Sequence, residues 1–164
     1  MGSEIEVRAA GLSDVPAAAR LAAELVRLHH RFDAARFMQI EPLVEGYERF
    51  LRGEVDRPGQ VFLVAADGEK VVGYALAGLE GRDWMDLRDA CGKLYDLYVD
   101  PADRRSGIAS RLLEEVMVRL TRMGAPRVVL MTAFLNEPAR RFFERRGFRA
   151  TMLEMTREAS EPVP

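Results

Sequence analysis

Cysteine is almost absent: Cys91 is the only one in 164 residues. A lone cysteine excludes an intrachain disulfide and favours a reducing compartment. Lysine is nearly as scarce, since Lys70 and Lys93 are the only two among 24 basic residues. Long hydrophobic runs are missing as well. The longest, Val71 to Leu79, is far too short to cross a bilayer, so no membrane partner is expected. The start, Met1-Gly2-Ser3-Glu4, is polar and lacks an apolar signal core. Glu6 stands where a myristoylation signal needs Ser or Thr. A cytoplasmic protein is expected. The net charge of −2 gives no excess of positive charge for a nucleic-acid partner. His29 and His30 are remote in sequence from Cys91, so no metal-ligand set is expected. Neither Gly-x-Gly-x-x-Gly nor Gly-x-x-x-x-Gly-Lys-Ser/Thr occurs, which removes the common dinucleotide and P-loop signatures.

What is present suits a folded domain. Hydrophobic residues make up 48% and charged residues 30% of a chain long enough for one core. One domain is expected over residues 1–157, with a flexible tail at 158–164. Ile5-Glu6-Val7-Arg8 alternates like a short strand. Ser13-Asp14 offers an N-cap for a helix over about 14–30, and Leu43, Tyr47, Phe50 and Leu51 mark a second helix over about 41–55. Val61–Ala66 and Val71–Ala77 read as strands joined at Asp67-Gly68. Residues 80–92 read as a loop or short helical excursion before a strand at 93–99. Ile108, Leu112, Val116 and Leu120 form the apolar stripe of a helix that Gly124 ends. Strands at 128–131 and 148–156 flank a short helix capped by Asn136 and closed by Gly147.

The stretch Arg104-Arg105-Ser106-Gly107-Ile108-Ala109 joins the strand at 93–99 to the helix with the apolar stripe. A glycine-containing turn there leaves first-turn N–H groups without partners, all pointing one way. The helix dipole and two arginines add positive charge. Together these form a seat for an anion, most naturally a pyrophosphate.

The order Arg-x-x-Gly-x-Ala after Val99-Asp100-Pro101 resembles the acetyl-CoA signature of the GNAT superfamily of N-acetyltransferases. The downstream run Asn136-Glu137-Pro138-Ala139, Phe142-Phe143 and Gly147-Phe148 resembles that family's second cofactor helix. The resemblance implies a single-domain α/β (α+β) GNAT fold with the element order β-α-α-β-β-β-α-β-α-β. It implies a mixed central sheet flanked by helices, with the strands at 93–99 and 127–132 splayed apart into a slot. It also implies acetyl-CoA as co-substrate. Arg104, Arg105, Ser106, Gly107, Ile108, Ala109 and Ser110 would take the pyrophosphate. Main-chain groups of Leu97, Tyr98 and Val99 would pair with the pantetheine arm. Asn136 would contact the arm or serve as an N-cap, and Phe143 would pack near the sulfur. Relatives of this kind are often homodimers.

An amine would attack the thioester directly, without a covalent enzyme intermediate. The family's usual acid, a tyrosine seven residues after the asparagine, is here Phe143, which has no proton to give. An acyl-CoA-binding regulatory module with impaired chemistry is therefore the alternative. Asp96 is the candidate base or amine anchor, because an aspartate inside an apolar strand needs a partner. Tyr98 is the candidate acid, with Tyr95, His29 and His30 in reserve. In a regular strand Asp96 and Tyr98 share one face and Tyr95 takes the other. Asp33, Glu41, Glu45, Asp83, Asp86 and Asp89 would form an acidic rim around the acceptor, with Trp84, Phe32 and Phe37 as apolar surface. Such a rim favours a small amine, polyamine or aminoglycoside over a protein lysine.

Overall fold

Each strand of the sheet lies beside its neighbour in sequence. The computed structural model describes residues 5–160. The strands are β1 (Glu6–Ala9), β2 (Gln60–Asp67), β3 (Lys70–Glu80), β4 (Cys91–Val99) and β5 (Val128–Leu130). The helices are α1 (Val15–Phe32), α2 (Leu43–Arg52), α3 (Ile108–Arg122) and α4 (Glu137–Glu144). The sheet runs in the order β1-β2-β3-β4-β5. Its first four strands are antiparallel, and β5 lies parallel to β4. The β2–β3 hairpin turns at Gly68, whose φ of 59° is natural for glycine.

Two cores form, one on each face of this sheet. On one face α1 and α2 cover Phe62, Val64, Tyr74, Leu76 and Tyr98. On the other, the α3 stripe Ile108, Leu112, Val116 and Leu120 meets Leu63, Ala75, Leu94 and Val99. Phe142, Phe143 and Phe148 pack at the margin of this second core. The rings of Phe143 and Phe148 meet nearly edge-on at 5.6 Å. The Gly124 residue that ends α3 has φ 92°, the left-handed conformation expected of a C′ glycine.

Two expectations from the sequence need correction. Asp14 does not cap α1 with its side chain. Its carboxylate instead takes both Arg8 nitrogens, at 2.7 and 2.9 Å, and the Gly11 N–H at 2.8 Å. The strand expected at 148–156 does not form. Residues 149–160 run exposed, with Glu154 paired to Arg36 of the α1–α2 connection. A strand-like sequence becomes a strand only where a ladder is available, and this segment joins none. Of the two forms expected for residues 80–92 the loop is found, over residues 81–90 and closed by an Asp83–Arg88 bridge, with β3 ending at Glu80 and β4 starting at Cys91. The tail expectation for residues 161–164 and the reading of Met1–Glu4 lie outside the described residues.

Candidate functional site

The pairing of β4 changes along its length. Gly92, Lys93 and Leu94 pair with Val128, Val129 and Leu130 of β5, and there the ladder stops. Strand β4 continues alone on that side to Val99. On its other side β4 stays paired to β3, and Asp100 donates to the Val72 carbonyl at 2.8 Å. Strand alternation therefore turns the main-chain groups of Leu97 and Val99 to the free edge. Those of Tyr98 turn to its partner Tyr74. Of the three residues expected to offer main-chain groups to an amide-bearing arm, Leu97 and Val99 do so, and Tyr98 offers its side chain alone. The Val99 carbonyl is already engaged, accepting from Arg104 Nε at 3.0 Å.

A β-bulge breaks the register of β4. Leu76 faces Asp96 while Ala77 faces Leu94, so Tyr95 is the extra residue. The expected separation of Tyr95 from Asp96 and Tyr98 is thereby overturned. Tyr95 packs on the same α1/α2 face as Tyr98, because the bulge inserts one residue into the alternation. The Tyr95 hydroxyl donates to Glu80 Oε1 at 2.5 Å. Burial and the Glu80 carboxylate push its pKa up to about 12.

At the far end of the free edge lies the anion seat. Arg105 (φ 68°) and Gly107 (φ 79°) are both left-handed, so the chain turns tightly into α3. Among the described residues, the N–H groups of Gly107, Ile108, Ala109 and Ser110 meet no acceptor. A Cβ at Gly107 would enter open space, so the seat is not plugged by the chain itself. Ile108 is 2% exposed and anchors the turn in the core. The Ser106 hydroxyl is spent on the Asp103 carbonyl at 2.6 Å. Arg104 lies over the Tyr98 ring at 5.2 Å, and Arg105 stays exposed with no acceptor.

One cation at this seat escaped the sequence reading. Arg146, just past α4, donates to the Ser110 hydroxyl and stacks over Phe142 at 3.8 Å. It lies 36 residues from Ser110, and only the Gly147 turn beside it hinted at the return. Asn136 is the N-cap of α4, its Oδ1 accepting from the Ala139 N–H at 3.3 Å. Its amide nitrogen has no partner among the described residues.

Asp96 sits partly buried between the sheet and α1/α2. Tyr74, fully buried on β3, donates its hydroxyl to Asp96 Oδ2 at 3.0 Å. No arginine or lysine pairs with Asp96 among the described residues. Burial raises its pKa, and the Tyr74 hydrogen bond and the nearby His29 pull it back. Burial, with the Asp96 charge, pushes the pKa of Tyr47 on α2 up to about 12. His29 Nδ1 is tied to the Leu25 carbonyl at 2.9 Å, and its ring rests 5.1 Å from that of Phe37. His30 is turned to the Phe37 carbonyl instead. Thus Asp96 and Tyr98 lie on one face of β4 as expected, while Tyr74 and Tyr47 were not anticipated. Both could have been suspected only from their aromatic character within apolar elements.

The expected acidic rim does not assemble. Asp33 caps the main chain of Ala35 and Arg36, and Asp83 caps Met85 and Asp86. Glu41 faces Arg27 at 3.9 Å, and Asp89 pairs with Arg82 at 3.1 Å. Trp84 is 75% exposed beneath Arg82, away from Asp96. A cavity of about 290 Å³ lies elsewhere, between Ala9, Glu54, Phe62 and Arg122.

Comparison with known proteins fits this geometry. The profile of the Acetyltransferase (GNAT) family matches residues 24–148. Human N-acetyltransferase 8 is 34% identical over 93 residues, which is 57% of this chain and 40% of that protein's length. A mutant of the BH1408 protein from Bacillus halodurans superposes with a TM-score of 0.81 at 22% identity, over 93% of this chain and 98% of that one. An aminoglycoside 6'-N-acetyltransferase from Acinetobacter haemolyticus gives 0.71 at 16% identity, over 97% and 99%. Glucosamine-6-phosphate N-acetyltransferase from Arabidopsis thaliana gives 0.65 at 17%, over 96% and 100%. These structural likenesses speak for the fold alone. The parallel β4/β5 pair that parts after Leu94, the open first turn of α3 and the profile match together place this chain in the GNAT family of acetyltransferases.

Proposed function

We propose that this chain transfers an acetyl group from acetyl-CoA to a primary amine in a ternary complex. The observation that carries this is the free β4 edge leading to the unpaired first turn of α3. A pyrophosphate suits that turn, and an amide arm suits the main-chain groups of Leu97 and Val99. The amide nitrogen of Asn136 is free to meet the arm, and Phe143 would border the sulfur. Bound acetyl-CoA supplies an activated thioester carbonyl.

The residues around it have distinct tasks. The amine must lose a proton to attack, and Asp96, with its pKa raised by burial, is better matched to that task than an exposed carboxylate. The amine nitrogen bonds to the carbonyl carbon, a main-chain N–H at Leu97 or Val99 faces the developing oxyanion, and the carbon–sulfur bond breaks. The leaving thiolate takes a proton from Tyr98, whose burial keeps the phenol protonated at neutral pH, and the surplus proton on the new amide nitrogen passes to the Tyr98 oxygen and restores it. This assignment replaces the acid that Phe143 cannot be. We place the enzyme in the cytoplasm, as a homodimer.

The test mixes protein, acetyl-CoA and an amine panel and follows free thiol. Thiol release that depends on amine supports the transferase. Phe143 favours a second reading, an acyl-CoA-binding module with impaired chemistry. Cofactor binding without thiol release from any amine would establish that one instead.

A further inference from the structure

Asp96 is an acid with no arginine or lysine to answer it. It is partly buried, accepts a single hydrogen bond from Tyr74, and has His29 as the one base near it among the described residues. An uncompensated carboxylate in a desolvated setting is costly, and a cation from outside would relieve it. Its second oxygen is not an enclosed orphan: the only buried side-chain oxygen or nitrogen without a partner among the described residues is Gln60 Oε1. The second oxygen of Asp96 is therefore not sealed from solvent.

What surrounds Asp96 is aromatic and aliphatic. Tyr74 and Tyr98 come from the sheet, Tyr47 from α2, and His29 from α1. Leu25 and Leu28 pack in the same cluster. Phe32 and Phe37 flank the His29 ring at 6.3 and 5.1 Å. Beyond this ring Glu24 and Glu41 are held by Arg27, Asp33 by main-chain N–H groups, and Glu154 by Arg36, while Glu45 and Glu48 of α2 carry no ion pair among the described residues. None of the side chains that form the ring carries a second carboxylate, so a second positive charge drawn inside it would meet apolar walls.

From this juxtaposition we infer that the acceptor is a monoamine with an apolar or aromatic body, held as an ammonium by Asp96 inside the ring of Tyr47, Tyr74, Tyr98 and His29. The carboxylate sets the position of the nitrogen, and the ring faces favour the cation and cover the carbon body. Polyamines and aminoglycosides, which the sequence alone suggested, lack the matching second acid. The inference rests on the acetyl-transfer reading for the identity of the nitrogen as the reacting atom.

The test separates the two. Calorimetric titration of the CoA-loaded protein compares 2-phenylethylamine with spermidine and with 2-phenylethanol, which lacks the ammonium. The expected result is binding of 2-phenylethylamine at least about tenfold tighter than either, with the advantage lost in Asp96→Asn. The same three compounds are then offered with acetyl-CoA, following thiol. Spermidine binding as tightly as 2-phenylethylamine, no measurable binding of any of the three, or an advantage that survives Asp96→Asn overturns the inference. Selective binding without thiol release leaves the ammonium site standing and removes the transferase reading.

Discussion

Tyr74 and Asp96 are diagonal neighbours on adjacent strands, joined by a 3.0 Å hydrogen bond from the phenol to Oδ2. Tyr74 itself pairs with Tyr98, and Asp96 with Leu76. A tyrosine outside any motif thus fixes the acid proposed to meet the acceptor. The bulge at Tyr95 leaves Asp96 on the face of Tyr98 and brings Tyr95 to that face as well.

Tyr74→Phe keeps the ring and removes the proton donor. The hydrogen bond lowers the Asp96 pKa against the effect of burial, so its loss lets that pKa climb further. The acid limb of kcat/KM should move to higher pH, while kcat on the plateau changes little. Asp96→Asn should lower kcat by about 10²- to 10⁴-fold at unchanged affinity for acetyl-CoA. A pH profile identical to the parent in Tyr74→Phe would remove Tyr74 from any role in setting the base.

The same raised pKa has a stability consequence of definite sign. Folded Asp96 holds its proton to higher pH than unfolded Asp96 does. Between those two values the native state binds more protons, so stability falls as pH rises through the window and stays lower above it. Asp96→Asn removes that loss. Urea unfolding should show the variant more stable than the parent at pH 7 and level with it below the ordinary aspartate range. A variant less stable than the parent at pH 7 would mean that the charged carboxylate is compensated in the native state.

Arg8 and Asp14 are a matched pair with unequal burial. The Arg8 side chain is 37% exposed and that of Asp14 only 8%. The Arg8 hydrogen bond holds the Asp14 pKa low, so this pair contributes stability above the ordinary aspartate range and loses it on acidification. Removing the arginine strands the buried charge, whereas removing the aspartate leaves an arginine that water can reach. Arg8→Ala should cost about 3 kcal/mol and Asp14→Ala about 2 kcal/mol in chemical denaturation at pH 7. A reversed order would place the critical contact at the Gly11 N–H instead.

Local features were legible before any coordinates, and long-range ones were not. The α3 stripe, the Gly68 hairpin and the Gly107 turn depend on neighbours within a few residues, so the sequence announces them. The bulge at Tyr95 depends on its register against Leu76 and Ala77, which no single strand encodes. Arg146 reaches Ser110 only because α4 folds back onto the α3 start. The acidic rim failed for a related reason: counting carboxylates misses Arg27 and Arg82, which pair with Glu41 and Asp89 once the chain is folded, and the main-chain N–H groups that Asp33 and Asp83 cap. The missing final strand shows that a β-prone composition at Met152-Leu153-Glu154-Met155 does not create a ladder to join.

Gly107 carries two requirements that mutation can separate. Its φ of 79° strains any other residue, while a Cβ there meets nothing within 4 Å. Gly107→Ala should therefore cost about 1 kcal/mol of stability through the backbone alone. It should retain measurable acetyl-CoA binding. Gly107→Glu adds the same strain and brings a carboxylate to the opening of the anion seat. Its affinity for acetyl-CoA should fall by about a hundredfold or more, as expected for a like charge meeting a pyrophosphate, with a melting temperature close to that of Gly107→Ala. Calorimetry and thermal unfolding on the two variants decide this together. Equal acetyl-CoA affinity in both would mean that the phosphates bind elsewhere, and the free edge of β4 would lose its partner at Ile108, Ala109 and Ser110.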